Sequence, residues 1–372
     1  MKIYFLLSII FHLSNEEILT ITPSCLNFGK DPIINSYYPL ENISRIYPVN
    51  TYLSFSLLTL PDLIDSKIES KETIHLDNTY ISHRYTTDLQ IDNIFIKQLT
   101  IYTLEDDFRS YQDYGIALGY HYKSKSFSLI DNLYESNQID KKQFSFYNIN
   151  EANPLSEMHI YFGGVPNNKT YKYKGVIKVD ESLPTWGSMF NFIIYNSKEY
   201  KFNLPCMISS STLTIVSSDE IYNFFVELFK EKISREECKE SIFLPPNRKM
   251  FLCNNIPNEK IDFVFGNVTF FKFTMEDLLR QEQLLISSSG KEKIHNFNGV
   301  VLGMLFLSKF NISLFDFDNK QIEFHSDLYQ ITISSKDLTI YVSYISMIIT
   351  LLCIVNSLYL IGNDWRLRTK VN

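Results

Sequence analysis

The sequence lacks the short motifs that mark several large enzyme classes. It contains no Gly-x-Ser-x-Gly, no His-Glu-x-x-His, no phosphate-binding glycine loop and no Cys-x-x-Cys. These motifs are typical of serine hydrolases, zinc proteases, nucleotide-binding enzymes and dithiol oxidoreductases. The sequence therefore predicts no metal site and no cofactor.

Positive charge is also scarce. The chain carries 35 Lys and Arg against 42 Asp and Glu, a net charge of −7, and no long basic run. Because nucleic-acid binding depends on clustered positive charge, the composition excludes nucleic acid as a main partner. A hydrophobic fraction of 45% and a charged fraction of 21% are ordinary for a globular protein. The length of 372 residues allows two lobes or one large β domain, with anchors.

Glycine is sparse, and aromatic residues are abundant. There are 12 Gly, with none between Gly29 and Gly115, against 29 Phe and 24 Tyr. Aromatic residues favour strands, and most of the chain consists of short apolar runs separated by polar turns. The sequence therefore predicts an all-β protein with a few short helices. The clearest helical pattern is at residues 218–232, where the apolar side chains fall on one face.

The N-terminal residues have the pattern of a secretory signal peptide. Lys2 is followed by an apolar run at residues 3–13, which is short for a membrane span. We predict a signal peptide at residues 1–20. A buried first strand is the alternative.

The C-terminal residues predict a membrane anchor. Residues 338–362 contain no charged side chain and are long enough to cross a hydrocarbon core of about 30 Å. Arg366, Arg368 and Lys370 follow, so the tail at residues 363–372 is predicted to be cytosolic. The sequence thus predicts a single-pass protein of the secretory pathway or cell surface, with a lumenal or extracellular ectodomain.

Cysteines and glycosylation sequons agree with an oxidising compartment. Cys238 and Cys253 flank a short loop and are predicted to form a disulfide. Cys353 lies inside the predicted span, and pairing of Cys25 with Cys206 stays open. The sequons predict glycosylation at Asn42, Asn168, Asn267 and Asn311.

The most informative stretch of the chain is residues 299–325, GVVLGMLFLSKFNISLFDFDNKQIEFH. An apolar pair and Leu-Gly are followed by a helical turn, a strand ending in Phe-Asp, and a final strand. Five further segments occur in matching order, namely residues 113–120, 127–146, 160–165, Trp186 and residues 253–265. Together they resemble the pepsin-like aspartic peptidase family over residues 80–325. The resemblance implies a bilobal β fold, with a first lobe at residues 21–175 and a second lobe at residues 176–330.

Catalysis in that family uses one aspartate from each lobe, each in an Asp-Thr/Ser-Gly turn. Two carboxylates about 3 Å apart share a proton and activate a water molecule. This sequence contains neither Asp-Thr-Gly nor Asp-Ser-Gly. The resemblance places Ser209 at the second aspartate position and Ser54 at the first, where the register is open. The lack of glycine between Gly29 and Gly115 excludes the required turn from that region.

The resemblance also places the flap, the hairpin that covers bound peptide, at residues 75–88. The family's Tyr-x-x-Gly-Ser pattern is missing there, and Leu76 aligns near the tyrosine. His75 and His83 lie in this segment, near acidic residues. We interpret them as solvated hairpin residues rather than as a metal site or a catalytic base.

The sequence therefore predicts a catalytically inactive pseudopeptidase that binds an extended peptide or a protein in its interlobe cleft. One alternative is a divergent endopeptidase, active at acidic pH, whose first carboxylate is Asp62 or Asp65. Another is a secreted β-sandwich receptor module unrelated to the family.

Overall fold

The computed structural model describes residues 17–23, 32–38, 43–50, 56–57, 68–75, 79–91, 94–104, 116–120, 128–148, 158–166, 169–183, 185–210, 215–243, 248–253, 258–266, 268–280, 283–288, 299–333, 346–347 and 349–351. The chain divides into two units, residues 1–332 and residues 333–372. Across the described ranges, no helix is both long enough and apolar enough to cross a membrane. Most of the predicted span at residues 338–362, and all of the tail, lie outside these ranges.

Strands dominate the described residues. In chain order they are β1 (Glu17–Pro23), β2 (Pro32–Tyr38), β3 (Ile43–Asn50), β4 (Ser56–Leu57), β5 (Ile68–His75), β6 (Thr79–Ile91), β7 (Ile94–Leu104), β8 (Ile116–Ala117), β9 (Gln143–Asn148), β10 (Met158–Phe162), β11 (Tyr173–Lys178), β12 (Gly187–Tyr195), β13 (Lys198–Ile208), β14 (Ile215–Ser217), β15 (Cys238–Phe243), β16 (Arg248–Cys253), β17 (Lys260–Phe265), β18 (Thr269–Thr274), β19 (Leu279–Arg280), β20 (Gln283–Ser288), β21 (Val300–Leu302), β22 (Ile312–Asp316), β23 (Gln321–Ser326) and β24 (Ile331–Ile333). The helices are α1 (Leu129–Glu135), α2 (Asp219–Leu228), α3 (Lys230–Ser234) and α4 (Met304–Leu307), with a 3-10 turn at Glu276–Leu278. The mainly-β class with a few short helices is confirmed.

The first sheet is built mainly from the first half of the chain. Its strand order is β11-β23-β22-β9-β10-β1-β2-β6-β7-β4, with β3 paired to β2 and β8, and β5 paired to β6. Strands β22 and β23 come from the far end of the chain. The stretch from β11 to β1 therefore combines both halves of the sequence.

The second sheet is built from the second half of the chain. Its strand order is β15-β16-β20-β14-β21-β13-β12-β17-β18-β24, with β19 paired to β20. Strands β15 and β24 are the two ends of this order. The predicted lobe boundary between residues 175 and 176 falls within β11 and stays a prediction.

Each sheet contains the same arrangement of parallel strands. β3 runs parallel to β8, with Asn50 opposite Ala117, and β13 runs parallel to β21, with Ile208 opposite Leu302. A second parallel pair follows each of these, β4 with β7 and β14 with β20. The two halves of the chain thus repeat one arrangement of parallel strands.

Inward-facing aromatic side chains fill the core at the junction of the two halves. The rings of Phe144 and Phe315 stack with centroids 4.6 Å apart, and both side chains are fully buried. Phe146 and Phe324 face the same way on β9 and β23 and are also buried. Because burial of one such side chain contributes about 1.5–3 kcal/mol, this alternating pattern explains why these segments form strands.

Strand β1 begins inside the predicted signal peptide, residues 1–20. Glu17 pairs with Phe162 of β10, so the last four residues of the predicted segment 1–20 belong to the first sheet. A cleavage after residue 20 would remove residues that this strand uses for pairing. Residues 1–16 lie outside the described ranges, as do Cys25 and the sequon residues Asn42, Asn168 and Asn267. Asn311 precedes β22, and its Oδ1 accepts a hydrogen bond from the Asp327 N–H at 2.8 Å.

A disulfide joins Cys238 at the start of β15 to Cys253 at the end of β16, as predicted. The two residues lie opposite each other in an antiparallel pair. Both are buried, so the bond closes a β-hairpin against the core.

We predict that replacing Cys238 and Cys253 together by Ala lowers the free energy of unfolding by about 3 kcal/mol, because a loop of this length restricts the unfolded chain by that amount. Thermal unfolding with and without reductant measures this change. The Cys206→Ala variant is the matched control and should keep its response to reductant. An unchanged Tm in the double variant would contradict the disulfide.

The ion pairing of Glu323 predicts acid sensitivity of the first sheet. His325 Nε2 lies 3.5 Å and Lys174 Nζ lies 2.6 Å from Glu323 Oε2. These two partners hold the pKa of Glu323 at about 2, against the partial burial that raises it. A carboxylate whose pKa is lowered on folding stabilises the fold above its unfolded pKa and loses this contribution as pH falls towards its folded pKa.

We predict that Glu323→Gln costs about 2 kcal/mol of stability at neutral pH, allowing for partial solvent screening. The difference in Tm between the variant and the natural protein should shrink as pH falls from about 5 to about 2. Thermal melts across this range measure it. A difference that does not change with pH would show that Glu323 is not held as the charged form.

Candidate functional site

The segment that the resemblance assigns to the second catalytic aspartate follows β13. Strand β13 ends at Ile208, and Ser209 and Ser210 come next, before β14 begins at Ile215. The Ser209 N–H donates to the Leu302 carbonyl at 3.0 Å, which continues the parallel pairing of β13 with β21. Both serines are fully buried. The backbone of the turn is thus fixed against the Leu-Gly element that follows β21.

Trp186 connects this turn to the first half of the chain. Its carbonyl accepts from the Ile208 N–H at 2.9 Å, and its indole Nε1–H donates to the Leu118 carbonyl at 2.9 Å. Leu118 follows β8, the counterpart of β21. One fully buried residue therefore bonds the end of β13 through its carbonyl and the segment after β8 through its side chain.

Aromatic rings surround the indole of Trp186. Its centroid lies 4.8 Å from Phe317, 5.1 Å from Phe315 and 5.3 Å from Tyr120. The ring contacts with Phe315 and Phe317 are edge-on, which aromatic pairs favour. The indole is consequently fixed in orientation as well as in position.

Gly187 allows the close approach of β12 to β13 beside the turn. A Cβ atom at this position would lie 2.6 Å from Leu183 Cδ1 and 3.0 Å from the Cys206 carbonyl oxygen. No ordinary side chain fits there without moving its neighbours. The glycine therefore helps to place the Ile208–Trp186 hydrogen bond.

The resemblance places the first catalytic aspartate in the segment between β3 and β4, residues 51–55. Ser54 lies outside the described residues, so its assignment stays a prediction. The pairing of β3 with β8, compared with that of β13 with β21, gives a second assignment for the first catalytic position. In the two parallel pairs, Ala117 and Val301 occupy equivalent positions, one residue before a Leu-Gly pair. Asn50 is opposite Ala117 and Met207 is opposite Val301, so Asn50 is equivalent to Met207. Ser209 comes two residues after Met207. The residue two after Asn50 is Tyr52, so this register assigns Tyr52 rather than Ser54 to the first catalytic position.

Neither turn contains a carboxylate, whichever register holds. Residues 51–55 read Thr-Tyr-Leu-Ser-Phe, and residues 209–214 read Ser-Ser-Ser-Thr-Leu-Thr. The first segment lies between the ends of β3 and β4, and the second between the ends of β13 and β14. Asp62 and Asp65 come after β4 and therefore after the first turn.

The described residues beside the second turn include one thiol, that of Cys206. Cys206 is a buried free thiol three residues before Ser209, and burial raises its pKa far above the ordinary value. A neutral buried thiol is unreactive. No group of three His, Cys, Asp or Glu side chains in the described part of the chain could hold a metal ion.

The structure forms a hairpin at the predicted flap. Strands β5 and β6 are antiparallel, with His75 opposite Thr79 and His83 opposite Lys71. Leu76 comes between the two strands in sequence and lies outside the described residues. The hairpin exists without the glycine-containing pattern that the family uses at this place.

A mainly-β fold with two copies of one parallel-strand arrangement, each beside a turn and a Leu-Gly element, defines the class of the aspartic peptidases. The family model for eukaryotic aspartyl proteases matches residues 77–326, and this chain belongs to that family. A search of curated proteins found no match.

Two solved structures show the same fold at low sequence identity. The aspartic proteinase from Irpex lacteus has a TM-score of 0.63 at 12% identity, covering 83% of this chain and 97% of its own. Basic 7S globulin from soybean has a TM-score of 0.63 at 15% identity, covering 83% of this chain and 94% of its own.

We predict that Trp186→Phe lowers the free energy of unfolding by about 2–4 kcal/mol, because it removes buried volume and leaves the Leu118 carbonyl unpaired. Chemical denaturation followed by circular dichroism measures the loss. Phe192→Leu, at a half-buried position of β12, is the control and should cost less. Equal losses in the two variants would contradict the connecting role of Trp186.

Proposed function

We propose that this chain is a membrane-anchored pseudopeptidase, a member of the eukaryotic aspartyl protease family that binds peptide or protein without cleaving it. The observation that carries this proposal is the lack of any acidic residue in the two turns, residues 51–55 and 209–214. The family's chemistry has no other place from which to supply its pair of carboxylates.

Hydroxyl side chains do not replace that pair. One carboxylate must accept a proton from water while the other donates one, and each needs a pKa within the working pH range. Serine and tyrosine hydroxyls stay protonated at acidic and neutral pH. Ser209 together with Ser54 or Tyr52 would therefore leave the water molecule unactivated.

The alternative function, a divergent acid endopeptidase, requires Asp62 or Asp65 to reach the axis between the two halves. The turn after β13 would still lack the second carboxylate. Asp219, the first acidic residue after it, begins α2 and is ten residues beyond Ser209. A single displaced carboxylate does not make the proton-sharing pair.

Binding of extended peptide needs no carboxylates. A peptide in an extended conformation can add to a sheet edge through backbone hydrogen bonds, and the β5–β6 hairpin stands at the place of the family's flap. The uncharged residues 338–362 support a single membrane span, and the disulfide supports a lumenal or extracellular location.

We predict that the purified full chain does not cleave a mixed peptide library between about pH 3 and pH 7, the range in which carboxylate pairs work. Mass spectrometry of the library measures cleavage, and an added active aspartic peptidase serves as positive control. Cleavage that a statine-type inhibitor blocks would contradict the proposal.

The double variant Asp62→Asn/Asp65→Asn separates true activity from contamination. Cleavage that the variant retains does not depend on Asp62 or Asp65. Cleavage that the variant loses would support the endopeptidase alternative.

Peptide binding is measured by fluorescence anisotropy with labelled peptides from the same library. Each backbone N-methylation of a bound peptide at a strand-pairing position should weaken binding about fivefold, because one hydrogen bond contributes about 1 kcal/mol.

A further inference from the structure

A cavity of about 710 Å³ lies on the outer face of the second sheet, over strands β12, β17 and β18. Strand register places its central side chains in two rows. Asp262 lies opposite Ile194 on one side and Lys272 on the other, and Lys260 lies opposite Thr274. The intervening residues of β17 and β18 point to the other face and are buried in the core. The cavity is therefore an outward-facing depression that is lined by side chains.

Two short turns border this face and are held by hydrogen bonds. The turn between β12 and β13 contributes Asn196, whose Nδ2–H donates to Glu259 Oε2 at 3.1 Å. The 3-10 turn at Glu276–Leu278 contributes Asp277. Asp277 Oδ2 accepts from the Thr274 N–H at 2.6 Å and from the Thr274 hydroxyl at 2.8 Å. Both walls are thus fixed before any ligand arrives.

The charged groups in this lining are nearly balanced. They are two ammonium groups and three carboxylates, namely Lys260, Lys272, Asp262, Glu276 and Asp277. The carboxylate of Asp277 is already compensated, because its Oδ1 accepts from the Tyr329 hydroxyl at 3.1 Å and Lys309 interacts with its charge. Lys309 Nζ also lies 5.7 Å from the centroid of the Tyr329 ring. Two positive and two negative groups remain for a ligand, and they suit one without net charge.

The other lining side chains are amides, hydroxyls and apolar groups. Asn196, Asn258 and Gln330 contribute amides, each of which both donates and accepts hydrogen bonds. Ile194 and Leu328 contribute apolar surface, and Leu328 is 73% exposed. This mixture suits a ligand that carries several hydroxyl groups on a carbon frame, since each hydroxyl can donate to one group and accept from another.

Asp262 shows how a hydroxyl group would be held. Its side chain is half-buried, and burial raises the pKa of its carboxyl although Lys272 and Lys260 oppose this effect. A hydrogen bond to the charged carboxylate stabilises that form. A hydroxyl group placed between Asp262 and Lys272 can donate to the first and accept from the second.

An extended peptide finds no backbone partners on this face. Strand β12 pairs with β13 and β17, and β17 pairs with β12 and β18. Strand β18 pairs with β17, and on its other side the Lys272 N–H donates to the Gln330 carbonyl at 3.0 Å. Because these strands have neighbours on both edges, a peptide cannot add to them as a further strand. Recognition at this face therefore depends on side chains.

We propose that the outer face of the second sheet binds a neutral oligosaccharide. Asp262 and Glu276 accept hydrogen bonds from its hydroxyl groups, and Lys260 and Lys272 donate to its oxygen atoms. The apolar side chain of Leu328 contacts its C–H surface. A ligand of about two or three sugar units suits this volume, since pockets for ligands of that size measure about 300–1,000 Å³. This site is separate from the peptide binding of the proposed function.

The test uses the purified full chain in a buffer that contains no sugar-based detergent. Saturation-transfer NMR measures binding of neutral trisaccharides built from glucose, galactose or mannose, and titration gives the Kd. A sialylated trisaccharide and a capped, uncharged tripeptide are the comparison ligands. We expect at least one neutral trisaccharide to bind about fivefold more tightly than either comparison ligand, because neither of these satisfies both pairs of charges.

A variant that keeps the net charge locates the binding. Asp262→Ala/Lys272→Ala removes one carboxylate and one ammonium group and should weaken binding of the neutral trisaccharide about tenfold, because hydrogen bonds to charged groups are the stronger ones. The matched control is Glu227→Ala/Lys230→Ala, which removes an exposed pair 3.3 Å apart between α2 and α3. The control should bind like the natural protein.

Circular dichroism checks that both double variants are folded. If Asp262→Ala/Lys272→Ala does not fold, the exposed Lys260→Met takes its place and should weaken binding about threefold, since it removes one charged donor. Equal binding by the site variant and the control would overturn the site. Tighter binding of the sialylated trisaccharide or of the tripeptide would overturn the ligand class. No binding of any neutral trisaccharide would overturn the whole proposal.

Discussion

The hydrogen bond from the Trp186 indole to the Leu118 carbonyl is the interaction on which the joining of the two halves depends. Trp186 also accepts from Ile208 through its carbonyl, so one residue contacts both copies of the duplicated arrangement. The surrounding rings of Tyr120, Phe315 and Phe317 pack closely against its indole. The two segments that the resemblance assigns to the catalytic turns, residues 51–55 and 209–214, contain no acidic residue.

The strand pairing beside residues 209–214 is present although that segment contains no acidic residue. A peptidase needs both the geometry of two opposed turns and a pair of carboxylates that share a proton. This chain keeps the strand pairing that sets the geometry, including the Ser209–Leu302 hydrogen bond. The proposed binding of extended peptide needs only a free sheet edge and backbone hydrogen bonds.

The elements that could be predicted from the sequence are those specified by residues close together in the chain. The helical pattern at residues 218–232 became α2 and α3 because its apolar face packs inward, and the closely spaced Cys238 and Cys253 form the hairpin disulfide. The start of β1 was not predictable, since its pairing with β10 joins segments more than 130 residues apart. The first catalytic position is ambiguous for the same reason. Similarity of short segments favours Ser54, whereas the pairing of β3 with β8 favours Tyr52.

The central claim is that no pair of carboxylates meets between the two halves. A crystal structure of the full chain at acidic pH tests it most directly, through the distance from Ser209 Oγ to the nearest carboxylate oxygen. The account predicts that no Asp or Glu side chain lies within about 4 Å of Ser209 Oγ, and that hydroxyl groups alone occupy the axis. Two acidic side chains, one from each half, with oxygen atoms about 3 Å apart would contradict it.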